Sequence, residues 1–357
     1  MKCKLGEIFE VGSGGTPLKN HPEYYGGDIP WIKTGDLKCK YLYASEDYIT
    51  KDGLNNSSAK MYPPDTVLIA MYGATIGATS ILKISACTNQ ACAAFKKSEK
   101  VLPEYLYYFF KSQKERFVKD GVGGAQPNIS AGYLKNVEME VPILEKQTEI
   151  VSILDKVNKV LEQRRMELQE LDNLIKSRFV EMFGDPIRNT QNRATTNFIN
   201  VVKMQRGFDL PVQERQQDGK IPVFGSNGAL DRHNIAKVQG GGVITGRSGT
   251  IGKVYYTEDD YWPLNTSLFS VDTHGNNIVY LAYLLQMYDL SRFIEGTGVP
   301  TLNRNKFHNE PIIDVQLSEQ EQFAAFVKQT DKLKSEVQKS LEETQVLMDS
   351  LMQKYFG

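Results

Sequence analysis

The sequence is one module written twice. Shifted along itself by roughly 173–176 residues, it meets similar phrases in the same order. TIGATSI (75–81) falls on TIGKVYY (250–256), and NQACAAF (89–95) on NTSLFSV (265–271). EYLYYFF (104–110) falls on VYLAYLL (279–285), and AQPNIS (125–130) on GVPTLN (298–303). LEKQTEI (144–150) falls on LSEQEQF (317–323), and EMFG (181–184) on the closing KYFG (354–357). Identities are few. The shared order and near-constant offset mean that any fold for this chain must first be a fold for half of it.

Each module opens on a segment rich in Gly, Tyr and β-branched residues and closes on a long helical pattern. The spacing predicts mixed α/β heads over 1–143 and 186–316, and long helices over 144–185 and 317–357. In the heads, DTVLIAMYG (65–73) and GGVITGRSG (241–249) read as buried strands meeting Gly-rich turns. EYLYYFFKSQKERF (104–117) and VYLAYLLQMYDLSRF (279–293) read as short amphipathic helices. In the first long helix Ile150, Leu154, Val157, Leu161, Leu168, Leu171, Ile175 and Met182 recur mostly in alternating steps of four and three. That is a coiled-coil seam, interrupted at Arg164 and Arg178. The second is looser, carried by Phe323, Val327, Val337, Leu341, Met348, Leu351 and Tyr355. Gly184 followed by Asp185-Pro186 is a stop signal for the first helix. Apolar stripes roughly 55–60 Å long, at 1.5 Å per residue, must be covered. The expected class is therefore α+β: a dumbbell whose two long helices pair antiparallel and bury their seams on each other.

Composition narrows the function. Of the 357 residues 41% are hydrophobic and 24% charged, as in soluble globular proteins. The net charge of −1 argues against a simple basic nucleic-acid binder, so any such contact needs local patches or a basic partner. Cys3, Cys39, Cys87 and Cys92 form no CxxC pair and the four His are scattered, which reads as reduced cysteines and no metal site. The most apolar run, VLIAMYGATIGATSIL (67–82), is broken by Gly and Thr and too short to span a bilayer. A cytoplasmic protein without a membrane segment is expected.

Three catalytic lookalikes fail on their own chemistry. Gly241-x4-Gly246-Arg247-Ser248 is one letter from a P-loop, but Arg stands where the phosphate-binding Lys belongs. The following GTIGKVYY reads as turn and strand rather than the required helix. FEVGSGG (9–15) faintly resembles a methyltransferase glycine loop, but no Asn/Asp-Pro-Pro-aromatic motif accompanies it. The Pro-Asp at 64–65 lacks a following E-x-K, and there is no GxSxG elbow. The chain reads as a non-enzyme with no catalytic residue, metal or cofactor of its own.

What remains is a binder with two similar, unequal heads, a design that suits duplex DNA with two spaced sites. Phosphates call for Lys, Arg and loop N–H groups; base edges call for Arg, Asn, Gln and Lys. Around the Gly-rich turns the candidates are Lys33, Thr34, Gln126 and Asn128 in the first head. In the second they are Arg206, Asn227, Arg247, Ser248, Asn265 and Arg304. Two rivals stand beside this reading: a coiled-coil scaffold whose heads bind proteins or other ligands, and an independent enzyme.

The phrases GEIFEVGSGGTP (6–17), DIPWIKTGDL (28–37), GATIGATSI (73–81) and VPILEKQTEIVSILDKV (141–157) strongly resemble the specificity subunit of type I restriction–modification systems. IPVFGSNG (221–228), GRSGTIGKVYY (246–256) and LSEQEQFAAFVKQTDKL (317–333) extend the resemblance through the second half. Its most specific feature is a P-I/L-x-E-Q-like phrase leading into each long helix, with Lys146-Gln147 in the first copy and Glu319-Gln320 in the second. The resemblance implies two target recognition domains, each reading one half of a bipartite, gapped DNA sequence, with the helices as a ruler. It further implies a non-catalytic subunit that recruits two methyltransferase subunits, which bind S-adenosylmethionine and methylate adenine. A motor-nuclease subunit can join that assembly. Unequal heads imply an asymmetric target. Base-reading residues do not carry over, because recognition domains in this family diverge widely.

Overall fold

The structure, a computed structural model, describes residues 2–123, 127–296 and 300–357. It divides into two compact units, Met1–Gln163 with Ser340–Gly357, and Arg164–Lys339. Nine strands and four helices position the features discussed below. In the first unit the strands are β1 (Val11–Ser13), β2 (Tyr41–Leu42), β3 (Val67–Ala70), β4 (Thr79–Leu82) and β5 (Cys92–Phe95). In the second they are β6 (Lys203–Arg206), β7 (Gly242–Gly246), β8 (Val254–Thr257) and β9 (Ser267–Asp272). The helices are α1 (Pro103–Ser112), α2 (Leu144–Phe183), α3 (Ile278–Tyr288) and α4 (Leu317–Phe356).

The first head is a sheet of order β1-β5-β3-β4-β2, antiparallel except where β2 joins β4. Every residue of β3, β4 and β5 is buried, so these strands read as continuous rather than alternating apolar runs. The pleat still sorts them. Val67 and Ile69 share a core with Leu106 and Phe110 of α1, while Leu68 and Ala70 share one with Ile32 and Tyr62. The buried Thr79 and Ser80 hydroxyls donate to the Gly77 and Cys39 carbonyls. The second head repeats the order as β6-β9-β7-β8, with α3 packed where α1 stands in the first. Each head is closed by pairing its own ends: Lys2–Lys4 with Glu138–Glu140, and Thr195–Asn197 with Pro311–Ile313.

Register corrects the sequence alignment by one residue. Ala70 faces Cys92 as Gly246 faces Ser267, and Ser13 faces Ala93 as Arg206 faces Leu268. Gln90, not Asn89, therefore corresponds to Asn265. The same latch marks both positions: Thr16 donates to Gln90, and Asn265 donates to Asp209.

Both long helices run 40 residues. Gly184, at φ +77°, follows α2, and its N–H donates to the Val180 carbonyl, the left-handed stop that Gly permits. In the second unit Asp172 pairs with Lys334 at 2.6 Å, Arg178 lies 5.8 Å from the Phe326 ring, and Phe179 lies 5.4 Å from Phe323. Numbers rise on α2 as they fall on α4, so within this unit the helices run antiparallel. In the first unit Ile150, Leu154 and Leu161 are buried in one cluster with Met348, and Val157, Leu341 and Leu351 pack against it. Ile175, Phe323 and Val327 are buried in the second unit's core, and Val337 is buried as well; Leu168 and Leu171 are half-buried.

The seam read from the sequence omits Phe179 and Phe183, both fully buried. There the C-terminal end of α2 packs on the second head as well as on α4: Phe183 lies 5.1 Å from Tyr280 of α3 and 5.6 Å from Phe323 of α4. A stripe serving two partners is wider than a two-helix seam.

Gln147 and Gln320 explain the repeated phrase at the helix starts. Both side chains are 0% exposed. Gln147 accepts from the Leu102 N–H at 2.9 Å and donates to the Lys100 and Pro142 carbonyls, each at 2.8 Å. Gln320 accepts from the Asn277 N–H at 2.8 Å and donates to the Val315 carbonyl at 2.8 Å and Asn276 Oδ1 at 2.6 Å. Leu102 and Asn277 are the residues that cap α1 and α3. Each glutamine thus ties the start of a long helix to the start of its head's helix. The residues before them differ for local reasons. Glu319 is gripped by Arg193 at 3.0 and 3.1 Å, whereas Lys146 pairs with Glu149 at 2.8 Å.

Candidate nucleic-acid interface

Each head carries the same loop pair at one end of its sheet. After β3, Tyr72 bridges Asn128; after β7, Ser248 bridges Thr301. The Ile129 N–H donates to the Met71 carbonyl at 2.9 Å, and the Leu302 N–H to the Arg247 carbonyl at 2.8 Å. Gly73 (φ +63°) and Gly249 (φ +82°) supply the left-handed turn at equivalent positions. Gly246 is required for another reason. A Cβ there would lie 1.7 Å from the Thr250 carbonyl oxygen. Gly246 therefore opens a tight strand-to-strand turn into β8, Gly241 lies at the other end of β7, and no phosphate-cradling helix follows.

In the second head three of the sequence candidates converge. Arg206 at the end of β6, Arg247 after β7 and Arg304 at the start of the short helix Arg304–Phe307 line one cleft of about 370 Å³. Its other polar walls are Glu295, Thr301, Asn303 and Asn305. Glu295 is already matched: Lys306 pairs with it and Asn303 donates to it at 2.6 Å, which holds its carboxyl below the usual range. Arg206 reaches Asp209 only at 4.0 Å, and Arg247 donates to the Asn265 carbonyl only at 3.5 Å. Among the described residues the Arg304 guanidinium has no hydrogen-bond or ion-pair partner. Beneath it the buried His308 accepts from the Met204 N–H at 3.1 Å. Burial, with the nearby Arg304 and Lys203 charges, pushes its pKa below the ordinary imidazole value.

The remaining candidates are spread out. Asn227 is exposed and accepts from Lys253 at 3.2 Å. Ser248 is half-buried, its N–H donating to the Thr266 carbonyl at 3.1 Å. The Asn265 amide is spent on Asp209. In the first head Lys33 pairs with Asp47 and sits 5.5 Å from the Trp31 ring. Thr34 opens the adjoining 3₁₀ turn. Asn128 belongs to a different element, the loop against Tyr72, where its backbone also pairs with Val122. Gln126 lies outside the described residues. The sequence reasoning passed over Asn303 and Asn305; their place in Asn-Arg-Asn, straight after the second copy of the repeated loop, was the available signal. Cys87 and Cys92 are buried, which pushes their thiols up to about 11 and about 12, so neither is a thiolate at neutral pH.

At the positions equivalent to Arg206, Arg247 and Arg304 the first head has Ser13, Met71 and Ala131. Val122 stands in place of Glu295, each pairing across its short hairpin with Asn128 or Thr301. The same cleft position is thus uncharged in one head and arginine-lined in the other.

A doubled α/β head of this design on long helices defines a class of repeat protein. The family described as the type I restriction modification DNA specificity domain matches residues 1–172 and 197–344, and the chain belongs to it. It is 33% identical over 195 residues to the type I restriction enzyme MjaIX specificity subunit of Methanocaldococcus jannaschii, covering 53% of this chain and 45% of that one. It is 32% identical over 158 residues to the EcoR124I/EcoR124II specificity subunit of Escherichia coli, covering 43% and 39%. The matched stretch thus spans less than half the length of these curated relatives. The fold is shared over 100% of this chain and 96% of the type I restriction–modification S subunit from M. genitalium, with TM-score 0.62 and 16% identity. A chain solved in work on complex assembly and conformational transition of the type I R-M system gives TM-score 0.63 at 15% identity, over 100% and 97%. Among the described residues no helix is long and apolar enough to cross a membrane.

Proposed function

We propose that this chain is the DNA-recognition subunit of a type I restriction–modification complex. Each head reads one half of a bipartite, gapped, asymmetric target, and the two long helices set the gap. The chain carries no catalytic centre. Two methyltransferase subunits dock on quasi-equivalent surfaces of the repeat, bind S-adenosylmethionine and methylate adenine; a motor-nuclease subunit adds cleavage where one is present. One observation carries the reading: the same strand order and loop pair occur twice, with different side chains at equivalent loop positions. Shared scaffolds with divergent loops suit two related but unequal binding tasks.

The test is a genome-wide adenine methylation map of the source cell, with and without this gene. Loss of methylation at a gapped, two-part motif is the expected result. An unchanged map in cells expressing the partner methyltransferase moves a non-DNA scaffold to the front. Inserting one helical turn into both α2 and α4 should lengthen the gap and leave the half-sites alone. A change in the half-sites with a constant gap removes the ruler.

A further inference from the structure

We infer that the arginine cleft of the second head is a phosphate clamp for the DNA backbone, and that the first head has none. The inference rests on the DNA reading above and assigns chemistry within it. Arg206, Arg247 and Arg304 come from three separate chain segments and line one recess. The cleft's own carboxylate, Glu295, is occupied by Lys306 and Asn303, and Asp209, 4.0 Å from Arg206, also accepts from Asn265. Three guanidiniums at one recess repel each other until an anion enters, and a phosphate offers the oxygens that guanidinium forks match.

Shape separates phosphate from base. A base edge lies at the floor of a groove about 8.5 Å deep and is met by a side chain that protrudes. A recess instead receives what protrudes from the duplex, the sugar–phosphate backbone. The first head tests this by its own composition. Ser13, Met71 and Ala131 replace the arginines and Val122 replaces the glutamate, so the acid and the bases are absent together. The clamp therefore gives the second head a source of sequence-independent, salt-sensitive affinity that the equivalent position of the first head lacks.

The experiment measures binding of the full chain, alone and with its methyltransferase partner, to a random-sequence duplex and to the methylated-motif duplex between 50 and 200 mM salt, a range over which phosphate contacts are lost steeply. Arg304→Ala and Arg206→Ala should each lower the slope of log affinity against log salt by up to about 0.9, the value for one whole phosphate contact. Both duplexes should weaken by the same factor. Arg304→Lys should keep the slope, because a point charge still holds a phosphate, and so separates lost charge from lost folding. Ser13→Ala should leave the slope unchanged. If Arg304→Ala keeps the slope and relaxes discrimination at one base pair, Arg304 reads a base and the clamp is wrong. If slope and affinity both stay fixed, the cleft does not meet DNA. If inorganic phosphate at matched ionic strength raises the melting temperature of the wild type but not of Arg304→Ala, while duplex binding is untouched, the ligand is a free anion and the inference falls. If the wild type binds no duplex in either form, the recognition-subunit reading itself fails, a result distinct from all of these.

Discussion

The two heads share their strand order, their end-to-end closure, their glutamine tie and their loop bridge, yet differ wherever a side chain reaches an open loop surface. Gln147 and Gln320 make matching sets of three hydrogen bonds. Arg247 and Met71 accept the same backbone hydrogen bond and present opposite chemistry. The contrast separates two pressures on one module. Backbone groups and buried polar atoms admit few alternatives, because an unpaired one costs about 1–3 kcal/mol. Loop side chains carry no such constraint and are free to differ.

The largest effect should come from the helix ends. Phe183 is fully buried among Phe179, Tyr280 and Phe323, whereas its equivalent Phe356 is only half-buried beside Tyr105 and Phe109. Phe183→Ala should cost about 3–5 kcal/mol in the second unit, and Phe356→Ala clearly less in the first. Hydrogen exchange resolved by segment reads the two units separately. Equal losses would mean that the difference in burial carries no energetic weight.

Next come the glutamines. Gln147→Leu and Gln320→Leu should each cost about 2–3 kcal/mol, felt at the start of α1 or α3, because each strands buried backbone groups. The comparison breaks if one substitution is silent while the other is not.

A smaller change would sharpen it further. Ser13→Arg places a guanidinium at the first head's equivalent of Arg206. It should steepen the salt dependence of duplex binding by at most about 0.9 in slope.

The smallest effect is pH-dependent and confined to the second unit. Buried His308 titrates below its unfolded value of about 6.5. As pH falls through 6.5 the unfolded chain takes up this proton first, so stability present at neutral pH is lost progressively until the folded imidazole also protonates. His308→Gln should flatten that loss as pH falls below about 6.5. The equivalent first-head position is Lys135, so no matching slope is expected there. Thermal melts followed by a probe in each head measure both.

Much of this architecture was legible in the sequence, because burial writes itself in periodicity. The alternating fours and threes located α2, and the apolar runs at 67–70 and 242–246 located β3 and β7. Phe179 and Phe183 escaped because the end of α2 that also packs on the second head buries more than the seam a two-helix pattern predicts. The one-residue slip at Asn265 arose because letters were matched where only register could decide. Gln147 and Gln320 were visible as a repeated phrase, but their role depends on partners 43–47 residues away along the chain. The arginine cleft was legible residue by residue and not as a cluster. Arg206, Arg247 and Arg304 meet only because β6, β7 and the segment after Thr301 close on one another.

The pairing of Lys2–Lys4 with Glu138–Glu140, and of Thr195–Asn197 with Pro311–Ile313, brings the two ends of each head together at a single antiparallel ladder. A segment whose ends meet behaves as a cassette. It can be cut out and replaced at two neighbouring joints without re-routing the chain on either side. Genetic exchange at those joints would replace a whole head in one event and leave the flanking helices unchanged.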